Sequence, residues 1–255
     1  MTADRFGLWT LLGYGGVALV LVGKSIAQCE DGWRVWLLQS GARLYAAWCF
    51  GIRRDSDCPI SPEEGGLVVA NHRSPVDPML VWMAAMGHVL ASHKKHVPMI
   101  DFLTAREYCE MGGTIGFICQ NMKCIPVDRD GRDMASAKEA LRRLQQGRVV
   151  GIFPEGKINE GRGLLPGNTG VAWLALRGGV PVYPVFIQNA PKGKDMIEPF
   201  FDFGKVRVTF GPAIDLRAYL GKPMNPDLMR EVNDLIMDRL GALEEPELIE
   251  AEVGL

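Results

Sequence analysis

Surplus positive charge is missing from this chain. Across 255 residues, 28 lysines and arginines face 30 aspartates and glutamates, for a formal charge of −2. A protein devoted to nucleic acid neutralises phosphates with excess cations, so that class is excluded and any anion site must be local. Paired cysteines are missing too. The six, at positions 29, 49, 58, 109, 119 and 124, form no Cys-x-x-Cys pair and no zinc-finger spacing, so they read as reduced thiols. His93-Lys94-Lys95-His96 offers two imidazoles with no adjacent thiol or carboxylate; it reads as a basic patch, and no metal is expected. There is no internal repeat and no low-complexity stretch, which excludes solenoids and linker-like segments.

What is present fits a folded protein, with 47% hydrophobic and 23% charged residues and enough length for one sizeable α/β domain plus an appendage. The appendage is N-terminal. From Phe6 to Gly23 eighteen residues carry no charge, just enough to cross a hydrocarbon core of roughly 30 Å. A second apolar run, Trp33 to Ile52, is interrupted only by Arg34, Gln39, Ser40 and Arg43 and offers Trp33, Trp36, Tyr45 and Trp48 to a headgroup region. A cleaved signal peptide fits poorly, because it wants a charged start and a small-x-small site, and Ser25-Ile26-Ala27-Gln28-Cys29 supplies neither convincingly. The reading is a membrane-associated helical segment over 1–52, with spanning and monotopic insertion both open. A buried core helix is the competing reading, made credible by the glycines in the first run.

After Arg53 the pattern becomes alternating apolar runs and helical periods, and the domain boundary is placed near residue 53. Strands are expected at Leu67–Ala70, His88–Ser92, Cys124–Val127, Val149–Phe153, Val182–Ile187 and Val206–Phe210. Several are apolar throughout, as for strands covered on both faces. Helices are expected from Asp133 to Gly147, from Gly170 to Gly178-Gly179, and after Asn225-Pro226, where Leu228, Met229, Val232, Leu235, Ile236 and Leu240 share a face. The fold class is α/β: a mixed, largely parallel sheet flanked by helices, spanning 53–255, with an N-terminal membrane-associated helical pair.

Chemistry concentrates at two strand ends. The first strand breaks into Asn71-His72-Arg73-Ser74-Pro75-Val76-Asp77, where an imidazole and a carboxylate stand five positions apart at a helix start. A neutral imidazole accepts a proton from a hydroxyl, and a carboxylate on its other nitrogen stabilises the cation that results. Ser74-Pro75-Val76-Asp77 also fits a capping box, in which Asp77 merely caps and His72 is merely polar. From these residues alone both readings stand. The second cluster is Phe153-Pro154-Glu155-Gly156, where Glu155 either points into a cleft or caps a turn.

Asn71-His72-x-Ser74-x-x-Asp77 resembles the His-x4-Asp motif of the glycerolipid acyltransferases, which include 1-acylglycerol-3-phosphate (lysophosphatidate) acyltransferase. Cys124-Ile125-Pro126-Val127-Asp128-Arg129 resembles the block whose arginine holds the acceptor's phosphate. Phe153-Pro154-Glu155-Gly156 and Val180-Pro181-Val182-Tyr183-Pro184-Val185 resemble two further blocks, in family order, and Lys94-Lys95 falls where the family often carries a lysine pair. The resemblance covers about residues 65 to 215. The N-terminal apolar pair resembles the two-helix anchor of bacterial members.

The resemblance implies an O-acyltransferase acting at the cytoplasmic face of a membrane. In it, His72 takes the proton of a lysophospholipid hydroxyl that attacks an acyl thioester directly, and Asp77 orients the ring. It implies acyl-CoA or acyl-carrier protein as co-substrate, with no metal and no cofactor. Arg129, Glu155 and Gly156 are the implied substrate-binding residues, with Asn71, Ser74, Phe153, Pro154 and Pro181 in support; Lys157 and Arg162 join the substrate-binding set as cations able to compensate where the chain departs from the family. Amides near Ser74 to Val76 are candidate donors to the thioester oxygen, and Trp173 reads as core. The match departs where the family usually continues with Thr-Arg, because this chain has Lys157-Ile158, and where a lysine is common it has Asn168. A bidentate fork is lost there, which keeps a different lyso-lipid acceptor, such as a lyso-aminolipid, in play. A hydrolase with Ser74 as nucleophile is a further alternative; it lacks a Gly-x-Ser-x-Gly elbow.

Overall fold

The computed structural model describes residues 16, 19–27, 29, 32–49, 52–54, 58–61, 64–91, 99–128, 133–193, 198–202 and 204–244. The chain divides into two compact units, Met1–Leu44 and Tyr45–Leu255, so the boundary expected near residue 53 falls inside the second. In the first unit, residues 19–27 are helical and helix α1 begins at Trp33, running to Cys49. Trp36 Nε1 donates to Ser25 Oγ at 2.9 Å, tying the two helical stretches together. Leu19, Val20, Leu21, Leu37 and Leu44 are exposed. Among the described residues no helix is long and apolar enough to cross a membrane. Most of the Phe6–Gly23 run lies outside the described residues.

The second unit is built on a seven-stranded sheet in the order β1-β7-β6-β2-β5-β3-β4. The strands are β1 (Arg53–Arg54), β2 (Gly66–Ala70), β3 (Ile100–Ala105), β4 (Ile125–Val127), β5 (Val149–Ile152), β6 (Val182–Gln188) and β7 (Arg207–Phe210). Every pairing is parallel except β6 with β7, which is the mixed, largely parallel sheet expected. Helices α2 (Asp77–Ala91), α3 (Arg106–Cys109), α4 (Gly113–Asn121), α5 (Met134–Gln145), α6 (Gly170–Gly178) and α7 (Pro226–Gly241) connect and cover it. Parallel strands covered on both faces have no polar side, and β2 is buried at all five positions.

On one face Leu67, Val69, Val150, Val182 and Phe186 pack with Ala140, Leu144, Val171, Leu174, Val232, Ile236 and Leu240 from α5, α6 and α7. The α7 stripe read from sequence is this contact, and Asn225 Oδ1 caps the helix by accepting from Leu228 N–H at 2.8 Å. Helix α2 packs against β6 and β7 and is buried from Leu80 through Met86.

The strand expected at His88–Ser92 does not form over its described residues. His88 to Ala91 continues α2, because Ala, Met and Leu hold the helical pitch across Gly87, whose cost of about 1 kcal/mol does not break it. The strand is Ile100–Ala105 instead. Asp101 interrupts its apolar pattern, and that carboxylate is fully buried between Arg143 at 2.9 Å and Arg148 at 2.5 and 2.6 Å.

Candidate active site

Parallel β2 and β5 lie side by side with Val69 opposite Ile152. The same register, run three residues on from that pair, brings His72 opposite Glu155. Loops beyond the carboxyl ends of parallel strands are where α/β folds bind ligands, since the backbone there is released from the ladder. Here the two loops bond to each other. His72 N–H donates to Glu155 Oε1 at 2.8 Å, and His72 C=O accepts from Asn159 N–H at 2.8 Å.

The ring of His72 is fixed from two directions. Its Nδ1 lies 2.9 Å from Asp77 Oδ2, and its face stacks on Phe153 with centroids 4.2 Å apart and planes 15° apart. Phe153 in turn stacks on Phe102 of β3 at 5.3 Å. That approach is possible because position 151 is glycine: a Cβ there would stand 2.4 Å from the Phe102 ring. The His72 side chain keeps 18% of its surface open while Asp77 is wholly buried.

Asp77 makes the contacts of both readings that the sequence left as alternatives, reaching the ring and the helix start. Its Oδ2 also accepts from Arg73 N–H at 2.6 Å and Ser74 N–H at 2.7 Å, closing the α2 N-terminus, while Oδ1 has no partner among the described residues. Burial pushes this carboxyl above its usual range; the His72 bond and charge and the Ser74 and Arg73 amides pull the other way. An ionised Asp77 accepts from Nδ1–H and leaves Nε2 with the free lone pair.

Other expected members sit differently. Glu155 was expected to open onto a cleft. It is buried, and both its oxygens face inward, with Oε2 accepting from Asn159 Nδ2 at 2.8 Å and Leu165 N–H at 3.0 Å. The amides proposed for the thioester oxygen are also turned inward: Ser74 N–H goes to Asp77 and Val76 N–H to Ser74 Oγ at 3.4 Å, since the turn must satisfy its own donors. Ser74 is fully buried, which removes it as an accessible nucleophile. Asn71 is a buried clamp between strands, exchanging two bonds with the Ile187 backbone at 2.9 and 2.7 Å.

Gly156 turns the chain at a φ of +69°, and Lys157 and Arg162 are exposed on the loop that follows. Pro154 is buried, with its C=O accepting from Asn168 N–H at 2.8 Å, and Pro181 C=O accepts from Leu67 N–H at 2.9 Å. Trp173 packs against the apolar cluster, as core. Lys94, Lys95 and Arg129 lie outside the described residues. The approach to Arg129 is braced: Arg106 donates to both oxygens of Asp128 at 2.6 and 3.1 Å, and Asp128 N–H donates to Asp133 at 3.0 Å. Cys29, Cys109, Cys119 and Cys124 are free thiols.

Two residues escaped the sequence reading. Arg73 looks like the variable position of a motif, yet its guanidinium donates to Gly163 C=O at 2.7 Å and to Gly161 C=O. Asn159 looks like a surface loop residue, yet it bonds to His72, Glu155 and Gly163. The glycines at 156, 161 and 163 around Asn159 were the available signal of a loop folded back on itself.

The chain is 27% identical over 208 residues to 1-acyl-sn-glycerol-3-phosphate acyltransferase of Haemophilus influenzae, covering 80% of each protein. It is also 27% identical over 175 residues to N-acylphosphatidylethanolamine synthase of Arabidopsis thaliana, covering 68% of this chain and 60% of that one. In fold it resembles the crystal structure of 1-acyl-sn-glycerophosphate acyltransferase from Thermotoga maritima, with a TM-score of 0.62 and 20% identity over 90% of this chain and 88% of that one. Residues 52–188 match the Acyltransferase family, and the chain belongs to that family.

Proposed function

We propose that this acyltransferase moves a fatty acyl group from acyl-CoA or acyl-carrier protein to the free hydroxyl of a lysophospholipid, with lysophosphatidate as the acceptor. The observation that carries the reading is the 2.9 Å contact between His72 Nδ1 and Asp77 Oδ2 at the carboxyl end of β2. Nε2 takes the acceptor's proton as its oxygen attacks the thioester carbon, and buried Asp77 balances the imidazolium. The carbon–sulfur bond then breaks, and the departing thiolate recovers that proton from Nε2. Transfer is direct.

The name of the Haemophilus influenzae relative supports lysophosphatidate as acceptor. Exposed Lys157 and Arg162, with Arg129, supply the cations for its phosphate. Lys157-Ile158 in place of Thr-Arg keeps a lyso-aminolipid as the second reading. The exposed apolar side chains of the N-terminal helices support attachment of residues 1–52 to a membrane, and the family resemblance supports a site at the cytoplasmic face.

Acyl transfer measured over a panel of lysolipids with both donors tests this. Lysophosphatidate is expected to be acylated, and His72→Ala to lose ~10²–10⁴ in rate. Retained turnover in that variant, or labelling by a serine-directed phosphonate, would overturn direct transfer. Arg129→Ala should raise the KM for lysophosphatidate; an unchanged KM removes the phosphate role. Flotation with vesicles, compared before and after removal of residues 1–52, checks the attachment.

A further inference from the structure

His72 lies two residues beyond the end of β2, where no neighbouring strand holds its main chain. The 155–165 loop takes over that task. Glu155 Oε1 accepts from His72 N–H and Asn159 N–H donates to His72 C=O, both at 2.8 Å. Asn159 also governs the first of these bonds, because its Nδ2 anchors the other Glu155 oxygen at 2.8 Å. The same Nδ2 reaches Gly163 C=O at 2.8 Å, and Asn159 Oδ1 accepts from Gly161 N–H at 2.9 Å, so one side chain gathers the whole loop.

Arg73 closes the arrangement from the other side. Immediately after His72, it donates to Gly161 C=O, to Gly163 C=O at 2.7 Å and, at a longer 3.5 Å, to Asn159 C=O. A planar fork spans several carbonyls that a single ammonium cannot.

We propose that Asn159 and Arg73 are positioning residues for His72: they fasten the 155–165 loop to its main chain and so set where Nε2 meets the acceptor hydroxyl. The proposal rests on His72 being the general base. Neither side chain touches the ring, whose own restraints are Asp77 and Phe153. Their effect passes through the His72 backbone. A displacement of about 1 Å at a reacting group costs on the order of a hundredfold in rate.

The test is Asn159→Ala in the full-length protein, with Arg73→Gln as a second variant should the first not fold. Each is followed by steady-state kinetics and by the NMR signal of the His72 Nδ1–H proton, assigned by its loss in His72→Ala. We expect kcat to fall about ten- to a hundredfold, with KM for both substrates within about twofold of native. The Nδ1–H signal should shift or broaden. Arg73→Lys, which keeps the charge without the fork, should not restore kcat.

An unchanged kcat and proton signal with only a lower Tm would overturn the proposal, leaving the clasp a scaffold. A raised acceptor KM at native kcat would overturn it too, making the loop a binding element. If the native enzyme acylates no lysolipid, the proposed function falls, and the proton signal still judges the clasp.

Discussion

One oxygen of Asp77 accepts from His72, Arg73 and Ser74 while its other oxygen, equally buried, accepts from nothing among the described residues. Such a carboxylate is an expensive thing to keep ionised, and burial accordingly raises its pKa. The folded chain therefore binds this proton more tightly than the unfolded chain, so the contribution of Asp77 to stability falls as pH rises above 3.8. Asp77→Asn should gain stability relative to the native chain from about pH 4 toward neutrality, measured by denaturant unfolding at several pH values. The same variant should lose ~10²–10⁴ in kcat, because the imidazolium has no counter-charge. Glu155→Gln puts an amide where only acceptors fit, facing His72 N–H on one side or Asn159 and Leu165 on the other. It should cost about 1–3 kcal/mol and lower Tm.

Strand β5 shows how an element reaches the site without contributing a reactive group. Gly151 admits Phe102, Phe102 backs Phe153, and Phe153 backs the His72 ring. Gly151→Ala should cost about 1–3 kcal/mol through overpacking and depress kcat by tilting the stack, which thermal melts and kinetics together would register. At the start of α5, Asp133 caps the helix by accepting from Ala135 and Ser136 amides at 3.1 and 3.0 Å. Bonds from the Ser136 side chain, then from backbone amides, hold its pKa at about 2, below the ordinary 3.8. The unfolded chain binds the proton more tightly here, so this stabilisation is full above 3.8 and is lost as pH falls toward about 2. Asp133→Asn keeps a competent cap but cannot titrate, and should flatten the acid limb of an unfolding curve.

Across the molecule the reacting edge and the bracing edge of the sheet are separate. Asp101, at the amino end of β3, joins Arg143 of α5 to Arg148 just before β5. Asp101→Ala takes away the buried acceptor that the two guanidiniums share, while Arg143 keeps Glu139 at 2.8 Å, so the variant should lose about 1–3 kcal/mol while KM for both substrates stays native. That residue is also why β3 was illegible. A lone aspartate in an apolar run reads as a break when its two partners lie 42 and 47 positions away. The substitute strand, His88–Ser92, failed for a related reason: a short apolar stretch carries no sign of whether it continues the helix before it.

Local pattern settled the architecture and the closeness of His72 to Asp77. Apolar runs between helical periods specify a covered, mostly parallel sheet, and His72 and Asp77 are close in sequence, so a single turn at a helix start brings them together. Their partners are not close. Glu155 was visible as a member of the site, but its inward orientation depends on the register between β2 and β5 and on a loop that folds back across 83 positions. The glycines around Asn159 marked a folded loop but not its partner, and Arg73 gave no local sign, because a hydrogen bond across such a span exists only once the sheet has brought the two strand ends together.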